Sequence, residues 1–186
     1  MKRSKTLTLA LMGVSVLALS ACERAEEVGV FESAEQCSQL DGFGLADCEN
    51  NFEVAQAEHI RVAPKYTSVE DCEADFGAAQ CETSTQQTQS GGSVFMPMMM
   101  GFKMGNMLSG SSRTATQPLY RSKDDPKNFR TGDNQKVAGK TGLSKVSSRV
   151  ASAPSTKTQT VRRGGFGASA SSSARSSAGK FRSFGG

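Results

Sequence analysis

The sequence predicts a small, mainly α-helical domain stapled by disulfides, with an α+β variant open, followed by a short Met/Gly-rich helix and a long disordered basic tail. Three observations lead there. Four cysteines lie in an imperfect repeat between residues 30 and 82, and each copy carries a helix-capping serine at the same place. Beyond residue 110 the chain turns abruptly to Ser, Gly, Thr, Lys and Arg. The 186 residues, 37% hydrophobic and 22% charged with 19 Gly, no Trp and one His, hold one ordinary domain at most. A second catalytic domain is excluded by length. Repeated long apolar runs are missing, which excludes a multi-pass membrane protein.

Residues 1–21 read as a signal peptide. Lys2, Arg3 and Lys5 precede the apolar run Leu7 to Leu19, which is too short to span a bilayer comfortably. The run ends in Leu19-Ser20-Ala21-Cys22, the pattern of a bacterial lipobox. Small residues there admit the chain to a signal peptidase, and the Cys22 thiol takes up the diacylglycerol. An ordinary signal peptide cleaved near Ala21 is the alternative. With lipid on Cys22, the mature chain gains several acyl chains and stable anchoring. Glu23 stands where an Asp would resemble an inner-membrane retention signal, so the expected site is the periplasmic face of the outer membrane. Residues 22–29 then form a tether.

Charge is split along the mature chain. From Cys22 to Ser90 there are 15 acidic residues and three basic ones, and from Gly91 onward three acidic and 16 basic. Such a division points to a tail that meets an anionic surface or folds back on its own acidic half.

With Cys22 lipidated, Cys37, Cys48, Cys72 and Cys81 remain, an even number in an exported segment, and read as two disulfides. Their spacings do not suit the paired knuckles of a zinc site. Phe31-Glu32-Ser33-Ala34-Glu35-Gln36-Cys37 aligns with Tyr66-Thr67-Ser68-Val69-Glu70-Asp71-Cys72, and each copy reaches Phe-Gly before its second cysteine. One bridge per copy, Cys37–Cys48 and Cys72–Cys81, is the simplest pairing. Each such loop contributes roughly 2–3 kcal/mol in the chain-entropy model. Ser33 with Gln36 and Ser68 with Asp71 fit N-cap and N3 positions of two short helices, and Gly77 suits the end of the second. Between the copies, Asp47 to Val62 reads as an amphipathic helix stopped by Pro64. The expected core of this acidic domain, 30–82, is Phe31, Phe43, Phe52, Ile60, Tyr66 and Phe76. In the β-containing variant the segments at Phe31 and Tyr66 pair as short strands.

Residues 83–93 read as a flexible linker. In 94–110, Gly101, Gly105 and Ser109 fall four apart, a stripe that on a helix lets another backbone approach closely. Three readings compete: a helix packed on the disulfide domain, with Met filling gaps; a membrane-associated or self-associating helix; or a Cu(I) site on Met96, Met98, Met99, Met100, Met104 and Met107. Residues 111–186 look like a disordered tail. Within it, Gln117-Pro118-Leu119-Tyr120 can dock locally, and two islands interleave Arg, Gly and Phe: Val161 to Gly167 and Lys180 to Gly186. Behind a lipobox that pattern points to anionic lipid or envelope polymer, not to nucleic acid.

Taken in order, the lipobox, Cys-x10-Cys, Ala63-Pro64-Lys65-Tyr66, Asp71-Cys72, Phe76-Gly77, Gln80-Cys81, Phe95-Met96-Pro97, Gln117-Pro118-Leu119 and Arg163-Gly164-Gly165-Phe166-Gly167 resemble the YgiB family of bacterial envelope proteins. That resemblance implies an envelope role and brings no catalytic set. His59 sits on the charged side of the predicted central helix without a nucleophile, metal triad or phosphate loop, and reads as a solvated residue. No catalytic residue, metal or cofactor is therefore expected. The expectation is a non-enzymatic lipoprotein acting through another envelope protein, its own copies or anionic material, with periplasmic Cu(I) handling as the alternative.

Overall fold

Val28 and Val30 on one face and Phe31 on the other leave the strand β1 (Ala25–Phe31) with no side to offer water over its second half. Such a strand has to lie inside the fold, covered on both faces. In the computed structural model, which describes residues 25–88, 90–105, 115–153 and 160–172, it does. β1 pairs antiparallel with β4 (Gly101–Gly105), with Phe31 opposite Phe102, and on its other edge with β8 (Gly142–Ser147), with Ala25 opposite Ser147. The sheet continues from β4 through β5 (Gln117–Ser122) and β6 (Asp125–Arg130) to β7 (Lys136–Ala138), in the order β7-β6-β5-β4-β1-β8. Its terminal strands β7 and β8 approach one another, so six antiparallel strands make a nearly closed, barrel-like sheet. Side chains alternate across it. Val28, Val30, Leu119, Phe129, Val137 and Val146 fill the inside, while Phe31, Phe102 and Met104 point outward into a second core.

That second core lies under α1 (Ala34–Ser38) and α2 (Leu45–Val62). Ser33 Oγ accepts from Gln36 N at 3.2 Å to open α1, and Ser68 Oγ does the same for Asp71 N at the start of α3 (Val69–Phe76). Gly77 closes α3 with φ of 108°, a conformation that favours glycine. Cys37 bonds Cys48 and Cys72 bonds Cys81, the pairing within each repeat copy. Phe31 and Phe43 pack edge to face at 5.4 Å, and Phe52 meets Phe102 at 5.6 Å. Along α2 the buried stripe is Cys48, Ala55, His59 and Val62. Ile60, expected in the core, is 40% exposed. The helix is rolled by about one residue because its other neighbours are β4 and β5, strands that the sequence reading treated as a separate helix and a tail.

The mainly α expectation is therefore wrong. Strands outweigh helices, and residues 94–105 are not a helix. β2 (Cys81–Gln87) runs through the expected linker and forms a hairpin with β3 (Ser93–Pro97), with Glu82 opposite Met96. Gly101 and Gly105 bracket β4, and Ser109 lies outside the described residues. A spacing of four residues keeps side chains on one face of a helix and equally on one face of a strand, so the stripe could not choose between them. Gly101 is needed for close approach within the fold: a Cβ there would lie 2.5 Å from the Phe31 carbonyl oxygen. Nor do the segments at Phe31 and Tyr66 pair with each other, since Phe31 joins Phe102 and Tyr66 bridges Phe95. The expected tether is shorter too, because β1 begins at Ala25.

The tail is corrected likewise. Residues 115–153 supply four strands of the sheet and the short helix α4 (Ser148–Ala151), and 160–172 are docked on the domain. Its isolated apolar residues are the inward positions of short strands: Leu119, Phe129, Val137 and Val146 are each buried. We expect Gly101→Ala to lower stability by about 1–3 kcal/mol through overpacking, read as a fall in denaturant midpoint with both disulfides intact. An unchanged midpoint would exclude this close approach.

Candidate functional site: a buried polar cluster beneath a docked segment

A cluster of buried polar groups gathers where α2, α3, β2 and β5 meet. Each is delivered by an element whose apolar face is packed elsewhere. His59 lies in the last turn of α2, and its Nδ1 is 2.9 Å from the Tyr120 hydroxyl on β5 while Nε2 is 3.2 Å from Glu82 Oε1 on β2. A carboxylate can only accept, so Nε2 carries the proton and Nδ1 accepts from Tyr120. Burial holds the imidazole below its ordinary value, partly offset by hydrogen bonding and attraction from Glu82. Burial raises the Tyr120 phenol, and the Glu82 charge adds to this. His59 is thus a buried neutral link between a surface carboxylate and a buried phenol, not the solvated residue the sequence suggested. What hides it is β5, from the presumed tail.

Beside this chain, Asp75 near the end of α3 is buried, and no cation pairs with it among the described residues. It accepts from the Tyr66 hydroxyl at 2.9 Å, from Gly164 N at 2.7 Å and from Phe166 N at 3.2 Å. Burial raises the Tyr66 phenol, and the Asp75 charge and hydrogen bond raise it further. Three neutral donors around one carboxylate satisfy its charge by geometry alone.

Two of those donors belong to the segment 160–172. Its backbone joins the small sheet: Val161 N donates to Lys65 O at 2.6 Å, and Thr160 forms a parallel bridge with Lys65 while Tyr66 bridges Phe95 of β3. Phe166 is buried against Phe76, with centroids 4.8 Å apart, and edge-on to Tyr120 at 6.3 Å. Asn134 Oδ1 accepts from Gly167 N at 3.0 Å, and Asp124 accepts from Ala168 N and Ser169 N. Burial alone would raise the Asp124 carboxyl, but hydrogen bonds from Ser122, Ser169 and Ala168 outweigh it and hold it at about 2. Arg163 reaches Asp71 at 3.8 Å.

A cleft of about 320 Å³ flanks this edge, lined by Lys65, Thr67, Gln86, Thr88, Val94 and Thr160 among others. Its polar lining is mostly amides and hydroxyls, beside the apolar Val94. The Lys65 ammonium is turned away, donating to the carbonyls of Ile60 and Arg61 at the end of α2, so the cleft offers hydrogen bonds to a neutral polar group and no fixed cation to an anion.

A second buried amine sits inside the barrel. Lys103 shares the inner face of β4 with its cross-strand neighbours Val30 and Gln117, and its Nζ donates to the carbonyls of Ala115 at 2.9 Å and Ala151 at 3.1 Å. Burial lowers this ammonium to about 7, against a smaller opposing pull from Asp133. Nothing in Gly-Phe-Lys-Met-Gly announced it, because a lone lysine is ordinarily solvated.

Among the described residues, the methionines of the expected metal segment do not converge. Met100 packs on the barrel core, Met99 and Met104 join the second core, and Met96 lies beside Tyr66. Met104 Sδ is 3.7 Å from Cys37 Sγ. Cys22 and Met107 lie outside the described residues.

Both buried bases give stability a pH dependence. The His59 value in the folded chain lies below the ordinary 6.5, so the unfolded chain takes up the proton first as pH falls. The stability that His59 contributes is then full above about pH 6.5 and is lost below it, at up to ~1.4 kcal/mol per pH unit; in His59→Gln that loss should vanish. Lys103 releases its proton near 7 when folded, against 10.5 in the unfolded chain. Stability should therefore rise from about pH 7 to about pH 9.5, below the range where the tyrosines titrate. In Lys103→Met most of that rise should be lost, leaving the share of Lys65, which burial also lowers. Chemical denaturation across pH reads both, and an unchanged slope in either variant would contradict its assignment.

Comparison with known proteins agrees with a single continuous unit. A model for the family described as "Protein of unknown function (DUF1190)" matches residues 25–179. A UPF0441 protein of Yersinia pestis bv. Antiqua is 34% identical over 90% of this chain and 82% of its own length. A UPF0441 protein of Pectobacterium atrosepticum is 34% identical over 96% of this chain and 90% of its own. One of Erwinia tasmaniensis is 37% identical over 89% and 82% respectively. No solved structure matches. The matched span starts at the first residue of β1 and runs past the docked segment, and with it the chain belongs to the DUF1190 family.

Proposed function

We propose that the protein is a non-enzymatic lipoprotein of the cell envelope, held by acyl chains on Cys22 at the periplasmic face of the outer membrane, where its folded domain serves as an interaction or accessory factor. The observation that carries this reading is the pair of bridges Cys37–Cys48 and Cys72–Cys81. Disulfides persist in oxidising spaces, the periplasm among them, and the lipobox at Leu19 to Cys22 names the route into that space. Three of the four bridged cysteines are fully buried, which suits inert staples better than redox-active thiols.

The start of β1 bears on geometry. Ala25 is the first strand residue, so three residue steps separate the sheet from Cys22, at most about 10 Å of chain. An anchored domain is then held against the headgroups with little freedom to rotate. Exposed Lys127, Lys136, Lys140 and Lys145 cluster in β6 to β8 and their loops, while Glu49, Glu53 and Glu70 are exposed on the helices. Charge therefore divides between the strand and helix sides of the fold, and the lysines suit anionic lipid or polymer.

Replacement of Cys22 by Ala tests the anchor. Metabolic labelling with a fatty acid should be lost and the protein should leave the outer-membrane fraction or keep its N-terminal segment uncleaved. Unchanged labelling and fractionation would overturn the proposal.

A further inference from the structure

The segment 160–167 is held as a peptide ligand is held. It adds backbone to the edge of the small sheet, places one aromatic anchor in a pocket and offers N–H groups to a buried carboxylate, a recognised mode of peptide capture by β-augmentation. Its glycines set its shape: Gly164 and Gly167 have positive φ, Gly165 is crowded by the segment's own Val161 and Arg162, and Gly167 also lies against Asp124. Gly164 has φ of 75° and Gly167 of 103°. A Cβ on Gly165 would lie 2.5 Å from Val161 Cγ1, and one on Gly167 would lie 2.2 Å from Asp124 Oδ1. The pairing is also charge-complementary, with Arg163 beside Asp71 and the peptide N–H groups on Asp75.

We propose that the groove formed by the Lys65–Tyr66 edge, Asp75 and the Phe76–Tyr120 wall is a peptide-binding site for Arg-Gly-Gly-Phe-Gly, and that the segment of a second copy of this chain enters it in exchange for the chain's own. Every contact made within one chain is available unchanged between two, because donor and groove are identical in each copy; that identity is what makes swapping of an element a low-cost route to association. Seven residue steps join Ala153 to Thr160, enough for about 25 Å of reach. The terminal island Arg182-Ser183-Phe184-Gly185-Gly186 is not the occupant, since side chains would stand where Gly164 and Gly165 do. The inference does not depend on the anchor at Cys22.

Two full-length variants test it. Phe166→Ala keeps the groove and spoils the segment; Asp75→Asn weakens the groove and keeps the segment. A fluorescent peptide of residues 160–172 should bind the Phe166→Ala chain, at least about tenfold more tightly than the Phe166→Ala/Asp75→Asn chain, while a peptide of residues 180–186 should not bind. Co-expressed under different tags, the Phe166→Ala chain should capture the Asp75→Asn chain and fail to capture the double variant. Near-ultraviolet circular dichroism and thiol protection establish that each variant is folded. Failure of the 160–172 peptide to bind a folded Phe166→Ala chain would overturn the site. Peptide binding with equal capture of the single and double variants, or with no capture, would overturn the second copy as occupant.

Discussion

A carboxylate withdrawn from water must be surrounded by donors, and around Asp75 this requirement organises the part of the molecule where its halves meet. The residue ends a short helix from the acidic half, yet two of its three donors are backbone N–H groups from a segment some ninety positions later. Removing them would leave a buried charge served by one phenol, a costly state. The same segment brings Phe166 over Phe76 and Tyr120, and Tyr120 in turn satisfies His59. Tail docking and the burial of the imidazole are thus parts of one arrangement.

Parts of the fold were legible because their causes are local. The serine caps, the stop at Pro64, the turn at Gly77 and the pairing of cysteines inside each copy depend on neighbours within about a dozen positions. What escaped depends on distant partners. The residues from Gln117 to Ser147 look sparse in apolar content because each short strand buries only its inward positions and a barrel-like sheet supplies the rest. His59 looked solvated because its cover is Tyr120, and Ile60 looked buried because the roll of α2 is set by strands and not by its own pattern.

The Met/Gly stretch failed for a different reason. Its small-residue spacing suits two periodicities equally, and only the partner strands β1 and β5 decide between them. The Arg-Gly-Gly-Phe-Gly island was visible as unusual, but composition alone reads such a stretch as a solvated tail. Only the surroundings of Gly165 and Gly167 reveal that each missing side chain is a matter of space. The charge division along the sequence carries into three dimensions and is partly self-neutralised, through Arg163 with Asp71 and Arg121 with Glu32.

The placement of β1 has a temporal consequence. Its partners are β4 and β8, so residue 25 waits for residue 147 before the central ladder can close. Contacts so far apart in sequence form slowly, because loop closure is costly before any of it is rewarded. A nascent chain of this design cannot close its sheet until residue 147 has been made, and the edge of the first strand that meets β8 is among the last to be filled.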